Sequence, residues 1–257
     1  MLHAPRKAAL VLLELLAPPL CWSCRAPAAR GSPLCRPCRR SLRFLGPEPV
    51  TLRGLQVWAP VAYDGPAGDL VKALKFHGAR RVAREMAALI LANAPPTMLA
   101  GTLVPVPLHP ARRRTRPFNQ AALIAEAIAA RADLWLRADR PLGAEPPFGA
   151  DPRFGAAPPL GADRPLGAAP PFGAVPPLAD CLTRAGPDQR QVGRGRTARL
   201  HGLAAGSIEA TGPVPASAVL VDDVVTTGAT LAACAAALRA AGATRLRALA
   251  FARTAGR

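Results

Sequence analysis

The chain has 257 residues, half of them apolar and 19% charged, which suits one or two folded domains and excludes a wholly disordered chain. Lysine and arginine total 33 against 16 acidic residues, a formal charge of +17. That balance excludes an acidic-surface protein and points to polyanionic partners, either phosphorylated metabolites or nucleic acid. No stretch reaches the roughly 20 apolar residues that a membrane-spanning helix needs.

In chain order, the run AALVLLELLAPPLC after Arg6 and Lys7 has the outline of a signal peptide. Glu14 interrupts it, and no small-residue cleavage site follows. Leu10, Val11, Leu13 and Leu16 share one helical face, so we read a short docking helix of a cytoplasmic protein.

Next come Cys21-Trp-Ser-Cys24 and, after ten intervening residues, Cys35-Arg-Pro-Cys38. Two such knuckles aim four thiolates at one point, the pattern of a tetrahedral structural zinc site; a disulfide framework or redox centre is the alternative. A ribbon this small buries little apolar surface, so the metal supplies much of its folding energy. Arg25, Arg30, Arg36, Arg39 and Arg40 offset the negative charge of a zinc–tetrathiolate centre. Cys181 and Cys234 have no sequence partners and read as ordinary buried thiols.

Residues 55–138 and 180–257 alternate apolar, strand-like runs with Ala/Leu-rich helical stretches, the pattern of an α/β fold with a central parallel sheet. Within the first, Leu103–Leu108 reads as a buried strand, and the loop from His109 carries Arg112, Arg113, Arg114 and Arg116. These arginines suit a pyrophosphate, with a solvated basic loop or nucleic-acid patch as alternatives. Asn119 and Gln120 open the next helix, placed either to cap it or to touch substrate. From Arg140 to Asp180 a six-residue unit of the type PPFGAD repeats. A period of six suggests a hexapeptide β-helix, but the prolines oppose regular strands, so we read an extended, mobile low-complexity insertion.

The most informative stretch is Ala218–Val221, Asp222-Asp223, a Thr/Gly turn and an Ala-rich helix. It reads as a buried parallel strand whose carboxyl end meets a helix N-terminus, where open α/β sheets bind phosphates. Gly228 permits close backbone approach, and Thr226, Thr227 and Thr230 offer hydroxyls. Asp222 and Asp223 suit paired ribose hydroxyls, with Mg²⁺ nearby. No P-loop lysine is present, which sets aside a Walker-type nucleotidase. Together these features resemble the phosphoribosyl-pyrophosphate (PRPP) signature of type I phosphoribosyltransferases.

CWSC…CRPC, LVKALKFHGAR at 70–80, LVPVPLHPARRRTRPFNQAALIA at 103–125 and VLVDDVVTTGAT at 219–230 occur in this order. That set resembles the ComF (GntX-like) family of double zinc ribbon, phosphoribosyltransferase-like proteins. The resemblance implies an N-terminal helix and four-cysteine zinc ribbon over 1–50 and a type I phosphoribosyltransferase domain over 51–257, interrupted by the 140–180 insertion. It implies structural Zn²⁺ on Cys21, Cys24, Cys35 and Cys38, and Mg²⁺ bound with PRPP. It places the ribose hydroxyls on Asp222 and Asp223, and the 5′-phosphate on Thr226, Thr227, Gly228, Ala229 and Thr230. Val106 and its neighbours become the pyrophosphate loop, with Arg112, Arg114, Arg116, Asn119 and Gln120 in or beside the basic element. The family's link to competence implies DNA uptake, with single-stranded DNA or competence proteins as partners. Three departures stand out: Pro117 where the family has Gly, Asp188 for Thr and Gly202 for Asn. The sequence therefore leaves open whether the chain transfers a phosphoribosyl group or serves as a non-catalytic DNA-binding adaptor.

Overall fold

The computed structural model of the protein describes residues 19–113, 116, 118–137, 175–184 and 208–254. The docking helix expected before residue 19, most of the six-residue repeat, Arg114, Pro117 and the 188–202 segment lie outside the described residues.

Apolar, β-branched and small residues build a six-stranded, mostly parallel sheet. Its strands are β1 (Val50–Leu52), β2 (Leu55–Trp58), β3 (Val61–Ala62), β4 (Thr102–Pro105), β7 (Ser217–Val225) and β8 (Arg245–Arg253). The order is β1-β2-β8-β7-β4, with β3 also on β8, and only the β1–β2 pair is antiparallel. The two central strands are buried along most of their length, as strands covered on both faces must be. A separate antiparallel pair, β5 (Leu182–Arg184) and β6 (Ile208–Ala210), lies outside this sheet. The fold thus bears out the mixed α/β expectation with a mostly parallel central sheet.

Helices α2 (Gly65–Phe76), α3 (Arg81–Asn93) and α5 (Gln120–Arg137) cover one face. Their apolar residues recur at helical spacing, as in Ala67, Leu70, Val71 and Leu74 of α2, and all four are almost wholly buried. Truncating one, Leu70→Ala for example, removes about 2–5 kcal/mol of stability through lost transfer energy and an unfilled cavity. The opposite face is covered by α6 (Ala229–Ala240) and the β5–β6 pair, where Leu231, Cys234, Ala235 and Leu238 pack on Leu220, Ala248 and Ala250. Cys181 and Cys234 are buried free thiols, as expected.

The cysteine segment joins the first of these cores. Cys21, Leu34, Cys35 and Leu42 are buried in the same cluster as α2 and α3. A short helix α1 (Arg36–Arg40) follows Cys35, and α4 (Pro110–Arg113) follows β4. The last residues of the 140–180 repeat, expected to be mobile, instead run beside β4, with Leu103 N–H donating to Pro177 O (2.7 Å) and Ala179 N–H to Leu103 O (3.0 Å).

Candidate functional site

Two sites emerge, one metal-binding and one a cleft. At the first, the Cys21 N–H donates to Ala26 O and the Arg25 N–H to Cys21 O, with Arg25 at a left-handed φ of 64°. This closes the first knuckle. The second forms because Cys35 sits at the N-cap position of α1 and Cys38 follows three residues later, on the same helical side. The four sulfurs all lie within 4.8 Å of one another, and Cys24 Sγ is 3.5 Å from Cys35 Sγ. Zinc–sulfur bonds of about 2.3 Å in a tetrahedron separate sulfurs by roughly 3.8 Å, so the donor set fits Zn²⁺. All four cysteines are free, in keeping with a metal centre rather than a disulfide framework.

Burial opposes the Cys21 thiolate, but N–H donors from Cys24, Cys35 and Ser23 outweigh it and bring its pKa down to about 6. Burial and the adjacent sulfurs push Cys38 up to about 12. Sulfurs this close cannot all ionise without a cation among them, which is the chemistry a zinc ion supplies. Arg39, one of the expected charge-balancing arginines, is instead paired with Glu85 of α3. The module is also tied to α2: Ser23 Oγ donates to Asp69 Oδ2 (2.8 Å), and the Trp22 and His77 rings stack at 5.6 Å.

The second site is a cleft of about 500 Å³ at the carboxyl ends of β4 and β7. The apolar run expected as a strand over 218–221 continues to Val225, because Val224 and Val225 pair onward with Ala252 and Arg253 of β8. Asp222 and Asp223 therefore lie inside β7, and strand alternation sends them to opposite sheet faces. Asp223 meets Lys75 of α2, Nζ to Oδ1 2.8 Å. Asp222 accepts its neighbour's N–H (Asp223 N to Asp222 Oδ1, 2.8 Å). Burial, then the charge of Asp223, pushes Asp222 up to about 7, and Asp222 in turn helps burial raise Cys234 of α6 to about 12.

Thr226, Thr227 and Gly228 form the turn into α6, with Gly228 at φ 71° preceding Ala229. A Cβ on Gly228 would sit 3.1 Å from Leu52 Cβ, so both backbone conformation and space demand glycine. The Ala229 N–H points to Thr227 Oγ1 at 3.4 Å, and Thr230 lines the cleft. Arg53, at the β1–β2 turn, donates from Nε to Thr227 O (3.1 Å).

The wall after β4 is the basic element. Asn119 Oδ1 accepts the Ala121 N–H (3.1 Å), capping α5, while Nδ2 donates to Val106 O (2.9 Å), pinning the loop, and the residue also lines the cleft. Gln120 is buried and donates to Phe118 O at 3.3 Å. Arg116 is buried beneath the rim, its guanidinium 5.0 Å from the centre of the Phe76 ring. Burial and nearby Arg112 lower its pKa, against the pull of Asp223.

Val106, Arg112, Arg116, Asn119, Gln120, Asp222, Asp223 and Thr230 thus meet around one cleft, while Thr226 to Ala229 form the turn beside β7. Lys75, His109 and Arg184 also line it and had no role assigned from sequence. For Lys75 a signal existed, since only three of the 33 basic residues are lysines. Arg184 lies 38 residues before Asp222 in a short strand, and no motif announces it.

Compared by sequence, the chain matches no protein-family model and no curated protein. Among the described residues, no helix is long and apolar enough to cross a membrane.

Proposed function

We propose that the protein is a ComF-like, PRPP-binding protein with a type I phosphoribosyltransferase fold behind a structural zinc ribbon. The observation that carries this reading is the acidic pair Asp222-Asp223, set next to the αL Gly228 turn and opposite a wall of cations. Ligands of open α/β sheets bind at the carboxyl ends of strands, as this cleft would require. Four formal cations, Lys75, Arg112, Arg116 and Arg184, face two carboxylates, which suits a highly phosphorylated sugar.

In this reading the N–H groups of the turn and of the start of α6 hold the 5′-phosphate, and Asp222 and Asp223 orient the ribose hydroxyls. Arg112 and Arg116 stabilise the charge gathered on pyrophosphate as the bond from C1 to its oxygen breaks. A nitrogen lone pair of the acceptor then forms the new bond at C1. The contribution of the chain is electrostatic and orientational. Among the described residues no cluster of carboxylates alone makes a cation cage. Mg²⁺ fits as an ion carried largely by phosphate oxygens, with Asp222 the less buried of the two carboxylates, and it would neutralise charge there when bound.

Calorimetric titration of PRPP with Mg²⁺ into zinc-loaded protein tests the reading. Saturable binding that an Asp222→Asn, Asp223→Asn variant loses supports it; absence of binding by folded wild type rejects it.

One feature favours a second reading, a non-catalytic adaptor that binds single-stranded DNA. Arg80 lies 4.8 Å from the Phe118 ring, and Phe76, 68% exposed, carries Arg116. Aromatic rings beside arginines are the chemistry of base stacking. That reading requires salt-sensitive DNA affinity that survives loss of the two aspartates and falls when Arg112, Arg114 and Arg116 become alanine.

A further inference from the structure

Leu52 pairs with Leu55, so Arg53 and Gly54 form a two-residue loop between β1 and β2, and both have positive φ, 51° and 74°. Such a loop is a type I′ turn, in which Asn-Gly is a favoured pair. An arginine at its first position is strained, because a left-handed backbone brings Cβ against the carbonyl oxygen. Among the described residues Arg25 is the only other non-glycine with positive φ, and it closes the first cysteine knuckle. Strain kept at Arg53 directs attention to what its side chain does.

Arg53 Nε donates to Thr227 O (3.1 Å), and Leu52 fills the space beside Gly228, where an added Cβ would lie 3.1 Å from its own. In the sheet β2 and β8 stand between β1 and β7, so strand pairing does not enforce this meeting. Leu52 and Arg53 thus hold Thr227 and Gly228 from outside. The Thr227–Gly228 peptide is trans, and in a planar trans peptide the C=O and N–H point in opposite directions. Fixing Thr227 O on the guanidinium therefore turns the Gly228 N–H away from the hairpin. Thr226 and Thr227 are exposed. Without a tether, a ligand would have to order this turn itself, at a cost in affinity.

We propose that Arg53 is a positioning residue for phosphate binding, holding the 226–229 turn in its anion-receiving form before the ligand arrives. The ligand's identity rests on the PRPP-binding reading, and the test separates the two.

Wild type, Arg53→Asn and Arg53→Lys are titrated with ribose 5-phosphate and with PRPP plus Mg²⁺, at low salt and at about 0.5 M salt, with thermal melts of each. Arg53→Asn gives the hairpin its favoured pair, so the melting temperature is expected to hold or rise. Affinity for ribose 5-phosphate nevertheless falls about threefold to tenfold, by the same ratio at both salt concentrations. Arg53→Lys keeps the charge and a donor but not the planar fork, and recovers part of the loss. Unchanged affinity in Arg53→Asn overturns the proposal. So does a loss that disappears at high salt, which marks a distant charge, and a loss with a lowered melt, which marks an arginine needed for the fold. Ribose 5-phosphate binding that depends on Arg53, without any binding of PRPP, upholds the positioning role and rejects the PRPP reading. PRPP binding that Arg53→Asn leaves unchanged does the reverse. A wild type that binds neither ligand rejects both.

Discussion

Lys75 Nζ lies 2.8 Å from Asp223 Oδ1, joining helix α2 to the central strand β7. Both side chains are largely sheltered, at 18% and 7% exposure. Removing one charge strands the other, so Lys75→Met is expected to cost about 3 kcal/mol. The double variant Lys75→Met, Asp223→Asn should recover much of that loss. Urea denaturation midpoints of the single and double variants measure the coupling. Equal destabilisation in single and double variants would argue against a coupled pair.

Asp222 is raised from 3.8 to about 7, chiefly by burial and then by Asp223. The folded state therefore holds a proton that the unfolded state releases at lower pH. Its contribution to stability is complete below about pH 4 and is lost as pH rises through about 7. Ligand binding runs the other way, because ribose hydroxyls and a cation prefer the carboxylate. Affinity for PRPP with Mg²⁺ should climb between about pH 6 and 8, and Asp222→Asn should flatten the profile. A wild-type profile as flat as that of the variant would contradict the assignment.

The cysteine cluster is expected to bind one zinc per chain. Cobalt substitution should give tetrahedral d–d bands with thiolate charge transfer, and Cys24→Ser should weaken or abolish them. Because Cys21 and Cys35 share a core with α2 and α3, chelation should lower the melting temperature of the whole domain. A separate low-temperature transition, leaving the main melt unmoved, would show an independent ribbon instead.

Gly228→Ala meets two penalties, a left-handed backbone and a Cβ 3.1 Å from Leu52. The backbone cost is about 1 kcal/mol, and overpacking adds about 1 kcal/mol or more. Adding Leu52→Gly, which deletes the clashing Cβ, should remove the steric part and leave the backbone part once the cost of Leu52→Gly alone is subtracted. Denaturation of the single and double variants separates the two, and phosphate affinity should fall in both.

Much of this was legible in the sequence for physical reasons. The CxxC pairs encode their own turns, so their meeting was readable from spacing alone. The strand–turn–helix at 218–240 combines β-branched residues, a glycine and an alanine-rich run, each with strong local preferences. Asn119 was ambiguous because capping and ligand contact use the same amide, and its bonds to the Ala121 N–H and to Val106 O were not readable from the sequence. The extent of β7 was misjudged because carboxylates look like a strand end. Here Lys75 compensates Asp223, and neighbouring valines continue the ladder. Lys75 and Arg184 reach the cleft from elements distant in sequence, and single-chain periodicity carries no information about such a meeting.

The last residues of the 140–180 repeat, which run beside β4, have a consequence for assembly. Pro177 and Ala179 bond to both backbone groups of Leu103, while the other border of the sheet ends in the three-residue β1. One border is thus partly occupied and the other too short to template a long ladder. Self-association by adding strands across subunits is thereby disfavoured, and any homo-oligomer of this protein is expected to join through its helical faces or its cysteine module.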